Sequence, residues 1–489
     1  MINKITSHAF LPLVLFLVTM LSSVSGPALG QATPYYQQHF PPEEFKARWE
    51  KVFDRIGNNT IAIVQGGPKA RGFTLPRQSN EFYYLSGIET PHSYILLDGR
   101  SRKVTLYLPP RDERLERSEG KILSGDDAEL VKKLTGADEL MSTQAMTEGW
   151  LRGLLQGTPP PAVYTMFTPS EGSAEQRYEA QAYDAAIALD YWDGRVSREA
   201  NFVQLIRTRF PRADVRDLTP ILDELRSVKS PREVALIRRA SQMAGLGIME
   251  AIKNSKPGVY EYQLDAVARF VFLAHGARLE GYRSITASGT PNIWNGHYYR
   301  NQDQLKAGDL VLMDFAPDYS YYTSDVARMW PVSGKFSPTQ RELLQFVLEY
   351  RNAVLKRIRP GVTAKSIQDE VTVEMEAVLK RTKFSKPIYE QAARKMVETG
   401  GGAFSHPVGM AVHDDGGYRT GVLKPGHVFS IDPQLWVPEE TLYIRYEDVV
   451  VVTEKGVENF THFLPAELDE LEKLVGQGGI LRNLPVLPQ

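Results

Sequence analysis

The stretch LKAGDLVLMDFAPDYSYYTSDVARMWP, residues 305–331, decides the reading of the chain. Residues 310–315 are an apolar run with one acid, Asp314, set into it. A turn segment rich in Pro, Asp, Tyr and Ser follows, and a second short run, 325–330, opens on another acid, Asp325. This pattern predicts two strands joined by a loop. A carboxylate inside a buried strand is costly unless a cation or hydrogen bonds compensate it. Two carboxylates on paired strands can share a metal, because hard divalent cations take oxygen ligands.

A second stretch copies the first. Residues 423–432 read LKPGHVFSID against LKAGDLVLMD at 305–314, with Leu, Lys, Gly and the final Asp matching without a gap. The copy continues into a second expected strand, 442–452, which carries Glu447. Two similar strand pairs, each with an acid on both strands, predict a pseudo-twofold arrangement that gathers Asp314, Asp325, Asp432 and Glu447. One such acid would be read as a strand end or a turn residue; four in a repeated frame ask for a common partner.

Helices are expected ahead of each hairpin. Ser230, Pro231 and Glu233 in the boundary sequence LRSVKSPRE (225–233) form a capping box opening a helix to about Lys253, and Pro257-Gly258 breaks it. A second helix is expected over 263–275. Ser337, Pro338 and Gln340 open another capped helix, and further helices are read over 365–381 and 387–398. Upstream, 40–220 reads as an α/β domain without a catalytic motif of its own. It holds a helix at 41–55, strands at 60–65 and 104–108, and helix-like segments at 140–156 and 175–189. The expected fold class is thus α/β (α+β): an N-terminal domain at 40–220, a duplicated catalytic domain at 226–470, and a tail over 471–489.

The bulk properties exclude several classes. A net charge of -2 and the lack of a basic run argue against nucleic acid as a partner. The chain contains no cysteine, so disulfides, thiolate metal sites and a cysteine nucleophile are excluded. No GxSxG, HExxH or phosphate-binding loop is present. Residues 1–30 carry a basic end at Lys4, an apolar run over 9–24, and a small-x-small pattern at Ala28-Leu29-Gly30. That is a Sec-type signal peptide, with the mature chain starting at Gln31. It predicts an exported protein, periplasmic or secreted, with no stable membrane association after cleavage; an uncleaved anchor is the alternative.

Three histidines complete the candidate chemistry. His406 and His413 share the loop SHPVGMAVHD, and His297 lies 17 residues before Asp314. One imidazole with four carboxylates suffices for two divalent ions with an open bridging position, which lowers the pKa of a bridging water and polarises a carbonyl. An oxygen-dominated set favours manganese or a similar hard ion.

On these motifs region 226–465 resembles the pita-bread metallopeptidases: aminopeptidase P, prolidase and methionine aminopeptidase. Asp314 and Asp325 stand eleven residues apart, with Ser324-Asp325 and Arg328 as in an SDxxR motif. Ser405-His406-Pro407-Val408-Gly409 resembles the SHxxG ligand loop, and Arg445-Tyr446-Glu447-Asp448 resembles RIED. QSNEFYYLSGIETPHSYILL, ahead of the catalytic region, is similar to the aminopeptidase P N-terminal domain. The resemblance implies that Asp314 and Asp325 bind one of two divalent metals, manganese first and zinc or cobalt as alternatives. It implies that His406 and Asp432 bind the other, that Asp325 and Glu447 bridge, and that Arg445 orients Asp314. His297 and His413 would face the substrate carbonyl and scissile bond, and Asp432 would take the place of the favoured general base. Three positions depart from the family pattern: Asp432 replaces Glu, Gly402 stands in place of a histidine, and Met329 follows Arg328. The implied activity is removal of the first residue from peptides with proline second, by a homo-oligomer (dimer or tetramer). Xaa-Pro dipeptide hydrolysis and a non-catalytic peptide-binding protein on the same fold are the alternatives, and a metal-free hydrolase such as creatinase fits less well because the acids are kept.

Overall fold

Six short strands are interspersed with helices over the first half of the chain, where short runs with apolar residues are punctuated by glycine and proline. The computed structural model describes residues 36–69, 74–146, 150–157, 161–172 and 176–483. The expected leader at 1–30 and the last residues of the tail lie outside the described residues. Strands β1 (Thr60–Gln65), β2 (Tyr94–Asp98), β3 (Lys103–Leu108), β4 (Glu139–Ser142), β5 (Ala162–Thr165) and β6 (Val215–Asp217) form one mixed sheet in the order β4-β3-β2-β1-β5-β6. β1 is buried along its whole length, in keeping with its apolar centre, residues 61–64.

The helix read over 140–156 is a correction. Glu139–Ser142 is a strand in parallel register with β3, Thr143–Ala145 is a single 3₁₀ turn, and among the described residues of that segment only Trp150–Leu154 is α-helical. Pairing to an existing sheet edge overrides local helix propensity there. The helix read over 175–189 runs Arg177–Leu189.

The capping boxes form as read. Ser230 Oγ accepts from the Glu233 amide at 3.3 Å, and Glu233 Oε2 accepts from the Ser230 amide at 2.8 Å, opening the helix Pro231–Asn254. Ser337 and Gln340 do the same for Pro338–Leu355. These helices, with Glu261–Ala274, Ala364–Arg381 and Pro387–Thr399, pack against the duplicated strands. Phe272, Phe315, Trp330, Tyr350 and Phe429 are buried in that core, and Trp330 Nε1 donates to Ser255 Oγ at 2.8 Å. Among the described residues no helix is long and apolar enough to cross a membrane.

The duplication is visible in the strands, with one difference. After the short pair β7 (Leu279–Glu280) and β10 (Pro317–Asp318), the first repeat uses β8 (Ile285–Ser288), β9 (Leu310–Asp314) and β11 (Ala327–Pro331), antiparallel in the order β11-β9-β8. The second uses β12 (Val428–Ile431), β13 (Gln434–Val437), β14 (Leu442–Arg445), β15 (Asp448–Thr453) and β16 (Gly456–Asn459). The strand expected to run unbroken over 442–452 is therefore two strands: β14 pairs with β13, and β15 pairs with β12. Pro433, lacking an amide hydrogen, marks the matching break between β12 and β13. Glu447 sits at the switch between partners. Its backbone exchanges hydrogen bonds of 3.3 and 3.2 Å with Ala327, joining the two repeats where their acids meet.

Candidate metal centre

Strand ends and strand switches, not strand centres, carry the acids. Asp314 closes β9, opposite Ala327 in the register. Asp325 lies two residues before β11, Asp432 directly follows β12, and Glu447 lies between β14 and β15. All four are buried, Glu447 completely. Asp314, Asp325 and Glu447 each offer a carboxylate oxygen within 4.8 Å of the others, and Asp325, His406 and His413 form a second such group. Asp325 is common to both, as a bridging ligand would be. Asp432 belongs to neither group.

One guanidinium stands among the four carboxylates. Arg445 Nη1 donates to Asp314 Oδ2 at 2.8 Å and Nε to Asp432 Oδ1 at 3.0 Å, while Nη2 bonds Glu447 Oε2. The sequence reading assigned Arg445 to Asp314 alone; it in fact touches three acids. Asp432 Oδ2 is taken by Gln434 Nε2, so both its oxygens are engaged by the chain. His406 Nε2 lies 3.1 Å from Asp325 Oδ2, and its Nδ1 lies 3.1 Å from the Pro407 carbonyl, the kind of outer contact that fixes a ligating imidazole. His413 lies beside His406, ring centroids 4.0 Å apart. His297 is exposed, in the turn after Ile293–Asn295.

Burial governs the electrostatics. It raises Asp314 and Glu447 well above the usual carboxylate range, with neighbouring acids adding to the effect, and it pushes Asp432 up to about 6. Burial opposes the charge on Asp325 too, but the hydrogen bond and charge of His406, with Arg445 and His413, outweigh it and hold Asp325 far below that range. His413 is pushed down to about 3 by burial and then by His406, which keeps it neutral. A buried cluster of four carboxylates with one guanidinium is short of positive charge, and divalent cations are the natural complement. The donor chemistry fits: carboxylate oxygens around one ion position, carboxylate plus imidazole around the other.

Several supporting residues carried no signal in the sequence reading. Tyr282 donates to Asp314 Oδ1 at 2.6 Å and lies 2.9 Å from Asp325 Oδ1, so a single phenol spans the two acids of the first hairpin. Ser430 Oγ bonds Glu447 Oε1. Its position two residues before Asp432 on one strand was a usable clue, since alternate residues share a face. Arg328 of the SDxxR motif does not reach the cluster. It donates to the Glu447 carbonyl at 2.8 Å and to Asp448 Oδ1 at 2.7 Å, and Arg351 holds the other oxygen of Asp448 at 2.5 Å. Arg328 and Asp448 thus pin the two hairpins together behind the acids. Gly402 adopts φ +73°, and a Cβ there would stand 3.1 Å from the Asp432 carbonyl and 3.6 Å from Gln434 Cδ, so Gln434 borders the space above that glycine.

Comparison with known proteins agrees with this architecture. Residues 235–454 match Metallopeptidase family M24, and residues 45–164 match the Aminopeptidase P, N-terminal domain. The Xaa-Pro aminopeptidase of Escherichia coli is 30% identical over 459 residues, covering 88% of this chain and 97% of that protein. The Xaa-Pro aminopeptidase of Haemophilus influenzae is 28% identical over 463 residues, covering 90% and 99%. The structure of aminopeptidase P from E. coli with the inhibitor Pro-Leu superposes with a TM-score of 0.72 at 27% identity, covering 89% of this chain and 98% of that one. The same enzyme, zinc-substituted and in complex with product, gives a TM-score of 0.71 at 27% identity, covering 89% and 98%.

Proposed function

Because the chain belongs to metallopeptidase family M24, among the metal-dependent Xaa-Pro aminopeptidases, we propose that it is an exported enzyme that removes the N-terminal residue from peptides whose second residue is proline. The observation that carries this reading is the cluster of buried Asp314, Asp325 and Glu447 with half-buried His406, which has too little positive charge of its own. Asp314, Asp325 and Glu447 would hold one divalent ion. Asp325 and His406, with Asp432 and Glu447, would hold a second. Manganese is the first choice, given the oxygen-rich set, and the zinc-substituted E. coli structure makes zinc a reasonable substitute for tests. When bound, the ions supply an activated water and polarise the scissile carbonyl.

The chain's own residues do the rest. Arg445 and Tyr282 fix the carboxylate directions from behind. Neutral His413 and exposed His297 present hydrogen-bond donors toward the substrate and stabilise charge developing on its carbonyl oxygen. Asp432 stands where a carboxylate would accept a proton during the reaction. The signal at Lys4 to Gln31 supports export, and a homo-oligomer, dimer or tetramer, is the expected assembly.

Turnover of Xaa-Pro-Yaa peptides that chelation abolishes and manganese restores would establish the reading. Cleavage of Xaa-Pro dipeptides alone would move it to prolidase, and full activity after chelation would end it. His297→Ala and His413→Ala should each lower kcat about a hundredfold or more with metal content intact; wild-type kcat in both removes them from the site. N-terminal sequencing of the native protein should begin near Gln31.

A further inference from the structure

Two observations outside the metal cluster converge on His413. The first is local. Tyr178, the second residue of helix Arg177–Leu189, places its hydroxyl 2.8 Å from His413 Nδ1, and the rings lie 17° from parallel with centroids 5.8 Å apart. Tyr178 comes from the half of the chain built on the six-stranded sheet, between β5 and β6. It is 52% exposed, so core burial does not explain where its ring lies.

The second observation explains how the contact is held. Arg177, immediately before Tyr178, lies 3.2 Å from Glu171 Oε1. Glu171 Oε2 accepts from Arg226 at 2.6 Å, and the same Arg226 nitrogen bonds Asp414, immediately after His413. Arg226, Glu171 and Asp414 are almost fully buried. The path Tyr178–Arg177–Glu171–Arg226–Asp414–His413 therefore closes on itself, and both partners of the phenol–imidazole contact are anchored by their chain neighbours.

A phenol hydroxyl brings one proton, and a neutral imidazole offers one donor and one acceptor nitrogen. With the phenol proton on Nδ1, the imidazole proton must sit on Nε2. We infer that Tyr178 is a positioning residue for His413: it holds the ring in the Nε2–H form, so that His413 meets the substrate as a hydrogen-bond donor and does not ligate a metal. Geometry alone would admit His413 as a third ligand beside Asp325 and His406; an Nε2 that carries the proton has no lone pair to offer a metal. The consequence for turnover rests on the function proposed above, whereas the tautomer does not.

Both can be measured on the full chain loaded with zinc. In ¹⁵N-histidine-labelled protein, with the His413 signals assigned through His413→Ala, the ring should show a protonated Nε2 and a hydrogen-bonded, unprotonated Nδ1. Tyr178→Phe, which keeps the stack and removes the hydroxyl, should mix in the other tautomer. A protonated Nδ1 or a zinc-bound nitrogen in the wild type, or an unchanged spectrum in the variant, overturns the inference. In turnover, loss of one such hydrogen bond should lower kcat about fivefold with KM and zinc content unchanged. In a His413→Ala background the same substitution should have no further effect; wild-type kcat in Tyr178→Phe, or an additive loss in the double variant, overturns it. Should the wild type cleave no Xaa-Pro peptide, the function fails and the spectrum still decides the tautomer.

Discussion

Two buried charge clusters lie on either side of the His406–His413 loop, and they are built on opposite principles. In the network behind the loop, the well-buried carboxylates Glu81, Glu171 and Asp414 face the well-buried cations Arg177, Arg226 and Lys229, three against three. Asp223 and Asp415 join from the edge, where solvent reaches them. In the cluster in front of the loop, Asp314, Asp432 and Glu447 share the one guanidinium of Arg445, and Asp325 meets His406. A fold can afford the first as architecture, since cations lie within the chain beside its buried acids, although burial and the neighbouring Glu171 push Glu81 up to about 7. The second is incomplete as architecture. Its carboxylates would have to keep protons or find another cation, and the directions for Asp314, Asp432 and Glu447 show burial forcing that choice. An acidic cluster marks a metal site when its charge is unbalanced, not merely when acids are many.

The sharpest way to break this contrast is to remove a carboxylate from the unbalanced side. Asp325→Ala and Glu447→Ala should each cut kcat by about three orders of magnitude or more, since the activated water loses its support. Metal content should fall in parallel. The folded state should survive, because taking a negative charge from an acid-rich cluster relieves repulsion. Near-normal turnover with both metals retained would mean that the charge deficit does not report the site.

The converse operation belongs on the balanced side. Arg226→Met leaves Glu171 and Asp414 buried without their main partner, which should cost about 3–5 kcal/mol of folding stability. Urea denaturation would show it as a lowered midpoint, with metal affinity of the remaining folded protein unchanged. An unmoved midpoint would show that this network is not the structural counterpart proposed here.

Much of this was legible in the sequence because the duplication writes the same pattern twice. LKAGDLVLMD and LKPGHVFSID announce β9 and β12, and the spacing from Asp314 to Asp325 places the first hairpin's acids. The capping boxes at Ser230 and Ser337 were equally readable, being local chemistry. What was not legible depends on distant partners. The split of 442–452 follows from strand pairing across the twofold, and β4 forms where a helix was read because β3 offers it an edge. Tyr282 lies 32 and 43 residues from the acids it spans, and Tyr178 lies 235 residues from His413, so no window of sequence relates them.

Acidity gives a further test of the unbalanced cluster, read as the difference between metal-free and metal-loaded protein. A carboxyl raised on folding, as Asp432 is from 3.8 to about 6, binds a proton in the folded state that the unfolded chain has released. Its contribution to stability is present below the unfolded value and is lost as pH rises through the folded one. Chelated protein should therefore lose stability between about pH 4 and 6, by on the order of 2 kcal/mol for a group of this kind. Asp314 and Glu447, raised further, extend the loss upward in pH. Metal-loaded protein should show the opposite trend, since ions bind the deprotonated acids and hold better as pH rises. Parallel stability profiles with and without metal would remove the cluster from consideration as a metal site.

The smallest effect tests the finest feature of that cluster, the acid at 432. Asp432 has one oxygen on Arg445 and the other on Gln434, and Gly402 packs against its backbone. Both oxygens of the shorter acid are thus occupied from within the chain, and Asp432→Glu must place an extra methylene among these partners. Overpacking of this sort usually costs 1–3 kcal/mol, so kcat/KM should fall by about tenfold. Asp432→Ala, by contrast, should leave about one metal per chain and little activity, since affinity at the site shared with His406 is lost. The enclosing group can be removed separately. Gln434→Ala opens room beside residue 432, so Asp432→Glu combined with Gln434→Ala should recover most of the activity that Asp432→Glu loses, a coupling that non-additivity measures directly. If Asp432→Glu alone is as active as the wild type, the pocket accepts either acid and Gln434 does not enclose it. If the double variant is worse than both single ones, Gln434 supports the carboxylate itself, and the shorter acid at 432 depends on that amide for its direction rather than for its fit.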